Sequence, residues 1–149
     1  MDYPPLFAPG MHRITLSDMP DIFVTPFKDP SRRAHLLSRF EAFLESLKDF
    51  PVEMEIWIDG SFSTHKESPR DIDLLVVADV HGVNALPVNQ QKKLSDVFES
   101  NEAIRLRYEC DVIFVTDLQE DHALWQELYG LDRNDRPKGI PKIRIGEAL

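Results

Sequence analysis

Residues 58–77 read IDGSFSTHKESPRDIDLLVV, and this stretch decides the fold. An apolar strand runs into it and stops at Gly60-Ser61, because glycine lets the chain turn sharply and lets a ligand approach the backbone closely. After nine intervening residues, Asp71 and Asp73 begin a second, strongly apolar strand. Alternate residues of a strand point to the same side, so these two carboxylates face one space, about 7 Å apart along the strand.

Apolar spacing outside this stretch predicts further helices and strands. Apolar positions three and four apart over residues 31–48 predict a helix, with Asp29 as its N-cap and Pro30 as its first residue. Residues 54–59 and 71–78 read as two strands, the second buried on both faces. The remaining predicted elements are a strand at 21–25, a helix at 89–100, a strand at 105–115 and a helix at 119–129 that ends at Gly130.

This order of elements predicts an α/β (α+β) domain, with a short mixed β-sheet and helices packed mainly on one face. We expect the domain itself to occupy residues 31–132. Residues 1–30 are rich in proline, which breaks helices, and predict an arm laid over the core. Residues 133–149 are locally basic and predict a tail packed on the domain. That tail is either a solvated edge strand or a contact for a nucleotide, a tRNA or a protein partner.

Composition limits the classes of function. The chain has 149 residues, with 17 Lys and Arg against 26 Asp and Glu and a net charge of −9. This charge argues against broad nucleic-acid binding, which depends on neutralising phosphates, although a nucleic-acid acceptor stays open. Cys110 is the only cysteine, which excludes a disulfide scaffold. No apolar run reaches about 20 residues and the N-terminus lacks a basic-then-apolar signal, so we expect a cytoplasmic protein with no membrane partner.

A third carboxylate joins the first two if the later strand lies beside the second one. Asp111 stands near the start of the apolar residues 110–115, as Asp71 and Asp73 stand at the start of theirs. Charged residues against an apolar strand are disfavoured unless they are paired or bind a metal. Ligands that are all oxygen favour magnesium or manganese over zinc. The sequence therefore predicts a divalent metal site at these three residues.

The acidic residues also have simpler interpretations. In these interpretations, Asp111 is either an exposed strand residue or a partner of Arg105 or Arg107. Asp59 stands directly before the glycine and either adds a fourth acid to the site or caps the turn with its side chain. The simpler interpretation of the motif itself is that the glycine turn is a solvated turn and that the two aspartates after it mark the start of a strand.

The motif resembles the active site of the DNA polymerase beta-like nucleotidyltransferase superfamily. The shared pattern is an apolar strand, Gly-Ser, a loop, Asp-x-Asp with apolar flanks, and one more Asp on a later strand. In this chain the resemblance covers residues 57–77 and 111–115, and the small size is similar to the minimal stand-alone branch that includes antitoxin-type members. Two positions depart from that branch. Phe62 stands where many minimal members carry Arg, and Asp59 is an additional acid.

The resemblance implies roles for individual residues. Asp71, Asp73 and Asp111 would hold magnesium or manganese ions, and Asp111 would also take the proton of an attacking hydroxyl group. Gly60 and Ser61 would hold the phosphates of a nucleoside triphosphate. Three cations of the intervening loop would neutralise phosphate charge: His65, Lys66 and Arg70.

The implied reaction is transfer of a nucleoside monophosphate, AMP from ATP, to a hydroxyl group on a protein, an RNA or a small molecule. The alternative is a nucleotidyltransferase-like antitoxin or binding module that does not catalyse, and the missing arginine motivates it. A third interpretation is phosphoryl or nucleic-acid hydrolysis by the same metals. The expected partners are the triphosphate and either a helical toxin-type protein or a second copy of the chain.

Overall fold

The computed structural model describes residues 3–118, residue 130 and residues 137–146. Five strands are present in this part of the chain: β1 (Gly10–Arg13), β2 (Met54–Asp59), β3 (Ile72–Ala78), β4 (Cys110–Thr116) and β5 (Gly139–Ile145). The same part contains five α-helices: α1 (Met19–Phe23), α2 (Ser31–Leu47), α3 (Val80–Ala85), α4 (Val88–Phe98) and α5 (Asn101–Tyr108). Two short 3₁₀ turns lie at Leu16–Asp18 and Gly60–Ser63. None of these described helices is long and apolar enough to cross a lipid bilayer.

The strands form one mixed sheet in the order β1-β5-β2-β3-β4. β2 runs antiparallel to both of its neighbours, whereas β4 runs parallel to β3 and β1 runs parallel to β5. This architecture confirms the predicted α/β (α+β) class. Residues 1–30 and residues 133–149 each supply a strand, β1 and β5, to the same sheet as the central strands. Because β5 lies between β1 and β2, the interpretation of the basic tail as an edge strand is wrong.

The two faces of the sheet carry different apolar clusters. The larger cluster includes Ile56 and Ile58 of β2 and is built with side chains from all the described helices or packed against by them. The helices therefore lie on one face, as predicted. The smaller cluster lies on the opposite face, and its buried members are Trp57, Leu75, Val77 and Ile140.

Helix α2 supplies most of the helical side of the larger cluster. Its bounds, Ser31–Leu47, confirm the helix predicted over residues 31–48. Burying a large apolar side chain contributes about 1.5–3 kcal/mol, so its apolar stripe fixes α2 against the sheet. Its N-cap is Pro30 rather than Asp29, whose carboxylate instead accepts hydrogen bonds from the backbone N–H and the hydroxyl of Ser31, at 3.3 and 2.8 Å. The buried positions of α2 are Arg33, Leu36, Leu37, Phe40, Phe43, Leu44 and Leu47.

The strand predicted at residues 21–25 is wrong. Helix α1 covers most of these positions, because Pro20 fits the first turn of a helix, where no backbone donor is required. Met19 and Phe23, four positions apart, are then both fully buried on one side of α1. Their burial with the sheet outweighs the strand preference of the β-branched and aromatic residues in this short segment.

The strand predicted at residues 105–115 begins later than expected. The hydroxyl of Ser100 accepts a hydrogen bond from the N–H of Ala103 at 3.1 Å and caps α5, which continues through the first part of that range. Glu109 ends α5 in the left-handed conformation, with φ of 53°, and β4 begins directly after it. The helix predicted at residues 119–129 lies outside the described residues.

Candidate functional site

Three aspartates form a row across the neighbouring strands β2, β3 and β4. Asp59 ends β2 and lies opposite Asp73, and Asp73 lies opposite Asp111 of β4. Residues paired in register point to the same face of a sheet, and neighbouring strands lie about 4.8 Å apart. Their neighbours along the strands point into the cluster beneath the helices: Ile58, Leu74 and Val112. The row of carboxylates therefore lies on the face opposite the helices.

The carboxylates of the row act on one another electrostatically. The pKa of Asp73 is raised to about 6, first by burial and then by the negative charges of Asp71, Asp111 and Asp59. Lys138 opposes this shift and lowers the pKa of Asp73. The central carboxylate is therefore in a surplus of negative charge, which an additional cation would relieve.

The chain that leads into Asp71 is held by helix α2. The guanidinium of Arg32 donates hydrogen bonds to the backbone carbonyls of Pro69 and Arg70. Its Nη2 also lies 3.0 Å from Oε1 of Glu109, the residue directly before β4. Arg32 thus holds the residues before β3 close to the residue before β4, and this contact positions Asp71.

Gly60 connects the end of β2 to the 3₁₀ turn Gly60–Ser63 and lies against the row. Its φ is +71°, in the region that favours glycine. A Cβ atom at this position would overlap Oδ2 of Asp73 and lie 2.8 Å from its Cγ. Both the turn and the close approach thus require glycine, and the backbone of the Gly-Ser turn borders the central carboxylate.

The buried guanidinium of Arg33 binds the backbone of the loop after Gly60. Its donors reach five backbone carbonyls, those of Phe23, Ser61, Phe62, Thr64 and Lys66. Four of these carbonyls belong to the loop, so one side chain of α2 fixes the path of the chain that begins with the Gly-Ser turn.

Arg33 stays in the core because its charge is well compensated. Its guanidinium carbon lies 3.7 Å from the ring centroid of Phe27 and 5.0 Å from that of Phe62. Burial lowers its pKa to about 10, which leaves it charged at neutral pH. Sequence reasoning missed this residue. The available signal was its place on the apolar stripe of α2, three positions before the buried Leu36.

The predicted phosphate-binding cations lie along the same loop, next to the N-terminal arm. The backbone N–H of His65 donates to the carbonyl of Pro4 at 2.9 Å. Nζ of Lys66 lies 5.9 Å from the ring centroid of Tyr3. His65 and Arg70 are exposed. The arm thus borders the loop that the resemblance assigns to phosphates.

Asn101, the first residue of α5, holds Asp111. Its Nδ2 donates to Oδ1 of Asp111 at 2.7 Å, and its Oδ1 accepts from the backbone N–H of Val112 at 2.9 Å. The interpretation of Asp111 as a partner of Arg105 or Arg107 is wrong, because among the described residues its carboxylate contacts Asn101 and forms no ion pair with either arginine. Sequence reasoning missed Asn101, since nothing in the sequence shows which helix start lies beside β4.

Lys138 holds the other end of the row. Its ammonium group forms an ion pair with Oδ1 of Asp59, and the two side chains are only 15% and 19% exposed. Asp59 makes no side-chain hydrogen bond that caps the following turn. The turn-capping interpretation of Asp59 is therefore wrong, and its carboxylate belongs to the row of three aspartates instead.

The described residues contain no group of three or more His, Cys, Asp and Glu side chains already arranged to hold a metal ion. Two of the aspartates have other partners, Lys138 on Asp59 and Asn101 on Asp111. The donor set consists only of carboxylate oxygens, which are the ligands that magnesium and manganese prefer. The chemistry of the site fits such an ion, because Asn101 holds only Oδ1 of Asp111 and Asp59 is not among the predicted ligands.

A model of a protein family matches residues 1–144 of the chain. Its description is "Family of unknown function (DUF6932)". Comparison with curated proteins and with solved structures gave no significant match. The match spans the arm, every aspartate of the row and most of the last strand.

Proposed function

The chain belongs to the family of unknown function DUF6932, and we propose that it is a metal-dependent nucleotidyltransferase that moves AMP from ATP to a hydroxyl acceptor. The observation that carries this proposal is the row of Asp59, Asp73 and Asp111 with Gly60 packed against its centre. Carboxylates beside a tight glycine turn offer both ligands for a cation and a backbone surface that phosphates can approach. The acceptor hydroxyl belongs to a protein, an RNA or a small molecule.

Asp71, Asp73 and Asp111 would hold the divalent ion, magnesium or manganese. The raised pKa of Asp73, about 6, supports this assignment because a cation would relieve the repulsion among the carboxylates. When bound, the ion would neutralise charge on the triphosphate and make the acceptor hydroxyl a better nucleophile.

The rest of the reaction falls to side chains and backbone of this chain. The acceptor oxygen attacks the α-phosphorus, the bond from that phosphorus to the bridging oxygen breaks, and pyrophosphate leaves. The hydroxyl proton passes to a carboxylate oxygen of Asp111, whose other oxygen is held by Asn101 at 2.7 Å. Gly60 and Ser61 would position the phosphates by close backbone approach. Two loop cations would neutralise the departing charge: Lys66 and Arg70.

ATP labelled at the α-phosphate tests the proposal. Incubation with the protein, Mg²⁺ or Mn²⁺ and a cell lysate should label an acceptor and release pyrophosphate. The double variant Asp71→Asn, Asp73→Asn should lose the labelling, whereas the control Asp96→Asn, at an exposed position of α4, should keep it. Equal labelling by the double variant would overturn catalysis at these aspartates. Release of free phosphate, or cut nucleic acid, without a labelled acceptor would support hydrolysis instead.

A second candidate function is a nucleotidyltransferase-like antitoxin or binding module without catalysis. The observation in its favour is Phe62, which takes the place of the branch's arginine, is fully buried and stacks on Phe23 at 4.8 Å between ring centroids. That position therefore offers no cation to a phosphate. Calorimetry without any binding of ATP or Mn²⁺, together with co-purification of a helical partner or a stable homodimer, would favour this function over the enzyme.

A further inference from the structure

Lys138 stands at an unusual place for an ammonium group. It precedes β5 by one residue, and its backbone N–H donates to the carbonyl of Gly130 at 2.8 Å. From there its side chain reaches the end of β2 and pairs with Asp59 where little solvent penetrates. The backbone anchor and the low exposure make this an ordered ion pair rather than a loose surface contact.

The pair with Lys138 changes the charge of the whole row. Asp59 lies in register with Asp73, so the ammonium group is one strand away from the central carboxylate. Asp73 responds to its positive charge as well as to the neighbouring aspartates. Charges that are removed from water are costly unless an opposite charge is close. Lys138 therefore supplies, from within the chain, part of the positive charge that the row requires.

We propose that Lys138 is an internal counter-ion that a divalent cation must displace from Asp59 when it binds at the row. This inference rests on the metal site of the proposed function and adds a regulation of that site. In the cation-free protein the ammonium group offsets the repulsion among the aspartates. When a divalent ion binds, the repulsion between the two cations drives the flexible lysine side chain away from the row. The pair thus stabilises the cation-free state and weakens binding of the metal.

Strand β5, which follows Lys138, contains a control for this proposal. Nζ of Lys142 lies 3.5 Å from Oε2 of Glu55, and these side chains are 19% and 18% exposed, close to the values for the pair of Lys138. Lys142 faces the same side of the sheet, but its carboxylate partner is outside the row of aspartates. Removal of either ammonium group breaks one ion pair of similar burial, although Glu55 keeps Nε of Arg144 at 3.4 Å, and only removal of Lys138 changes the charge at the row.

The test is titration of the metal-free full chain with Mn²⁺ by calorimetry and by electron paramagnetic resonance. The variant Lys138→Met should bind Mn²⁺ about tenfold more tightly than the wild type, because one competing positive charge is lost. Lys138→Arg, which keeps the charge, and Lys142→Met should both stay within about twofold of the wild type. Thermal unfolding should show that Mn²⁺ raises the melting temperature of Lys138→Met more than that of the wild type.

The outcomes separate this inference from the proposed function. Equal or weaker Mn²⁺ binding by Lys138→Met, with clear binding by the wild type, would overturn the counter-ion alone. Weaker binding would indicate instead that Lys138 acts together with the ligands of the site. If neither protein binds Mn²⁺, the counter-ion and the metal site are both overturned. A similar gain in affinity for Lys142→Met would reduce the effect to general surface charge and would also contradict the proposal.

Discussion

Gly60 and Asp73 occupy adjoining space so closely that a Cβ atom on the first would overlap the carboxylate of the second. The turn that follows β2 and the acid at the second position of β3 therefore depend on each other. A loop separates the glycine turn from Asp73 in the sequence, but the two are in direct contact in the folded protein. This contact is what a substitution at either position would disturb first.

Gly60→Ala should destabilise the protein by about 2–4 kcal/mol, because it adds the strain of a positive φ to a steric overlap. It should also weaken Mn²⁺ binding, since Asp73 must move. Gly10→Ala is the matched control: its φ is +117°, but a Cβ there would meet nothing within 4 Å. Chemical denaturation and Mn²⁺ titration of both variants check the prediction. Equal effects of the two substitutions on metal binding would contradict it.

The unfolding free energy should depend on the protonation of Asp73. The pKa of this carboxyl is raised from 3.8 to about 6 by folding, so the folded state binds the proton more tightly than the unfolded chain. That contribution is fully present below pH 3.8 and is lost as the pH rises through about 6, with a total of about 2–3 kcal/mol.

Asp73→Asn should lack this loss of stability and should be more stable than the wild type at pH 7 without metal. Urea denaturation in EDTA across this pH range measures the difference between the two proteins. The exposed Asp96→Asn should follow the wild type. A wild type whose stability, relative to Asp73→Asn, is constant with pH would contradict the raised pKa.

Arg33→Met should cost about 3–5 kcal/mol, because buried carbonyls lose their donor and rings lose a cation. Arg33→Lys should recover only part of this loss, since an ammonium group cannot reproduce the planar fork of a guanidinium. Arg105→Met, at an exposed position of α5, should change stability by less than about 0.5 kcal/mol. Urea denaturation measures all three variants. A loss for Arg33→Met no larger than that for Arg105→Met would contradict the prediction.

Asn101→Asp should show whether the donated hydrogen bond positions Asp111. An aspartate still accepts the hydrogen bond from Val112 and suits the first turn of α5, but it can no longer donate to Asp111 and places a second carboxylate beside it. Because the two carboxylates repel each other, we expect the melting temperature to fall more at pH 7 than at pH 5, with AMP transfer reduced by about tenfold or more. Asn101→Ala, which loses both hydrogen bonds without adding a charge, should reduce AMP transfer by a similar factor. Transfer at the wild-type rate by Asn101→Asp would show that this contact does not position the carboxylate.

Periodicity predicted the elements whose burial is regular along the chain. The helix at residues 31–48, the strand at 54–59 and the helix at 89–100 agree with α2, β2 and α4. Residues 105–108 were wrongly predicted as part of a strand, because polar and apolar residues alternate there. The cap at Ser100 instead starts a helix that includes them. A one-sided apolar stripe is a strong signal over many residues, but short segments are decided by contacts distant in sequence.

The site was predictable to the extent that the motif is local. Asp71 and Asp73 are close because they are two residues apart in the sequence, and Asp111 lies beside Asp73 only because β4 pairs with β3 in register. The partners Lys138 and Asn101 depend on the packing of β5 and α5, which no spacing in the sequence specifies. Residues that form the acidic row were thus visible in the sequence, whereas those that hold the row in place were not.

The position of β5 has a consequence for the order in which the molecule is made. This strand lies between β1 and β2 in the sheet. The residues of β1 are synthesised more than a hundred positions before the end of β5. All the aspartates and their glycine turn are synthesised before the strand that completes their sheet. The sheet can be completed only after translation has passed Ile145. Pairings between residues so distant in sequence also form slowly. A nascent chain would therefore contain every aspartate of the row before it contains Lys138, whose positive charge offsets part of their negative charge.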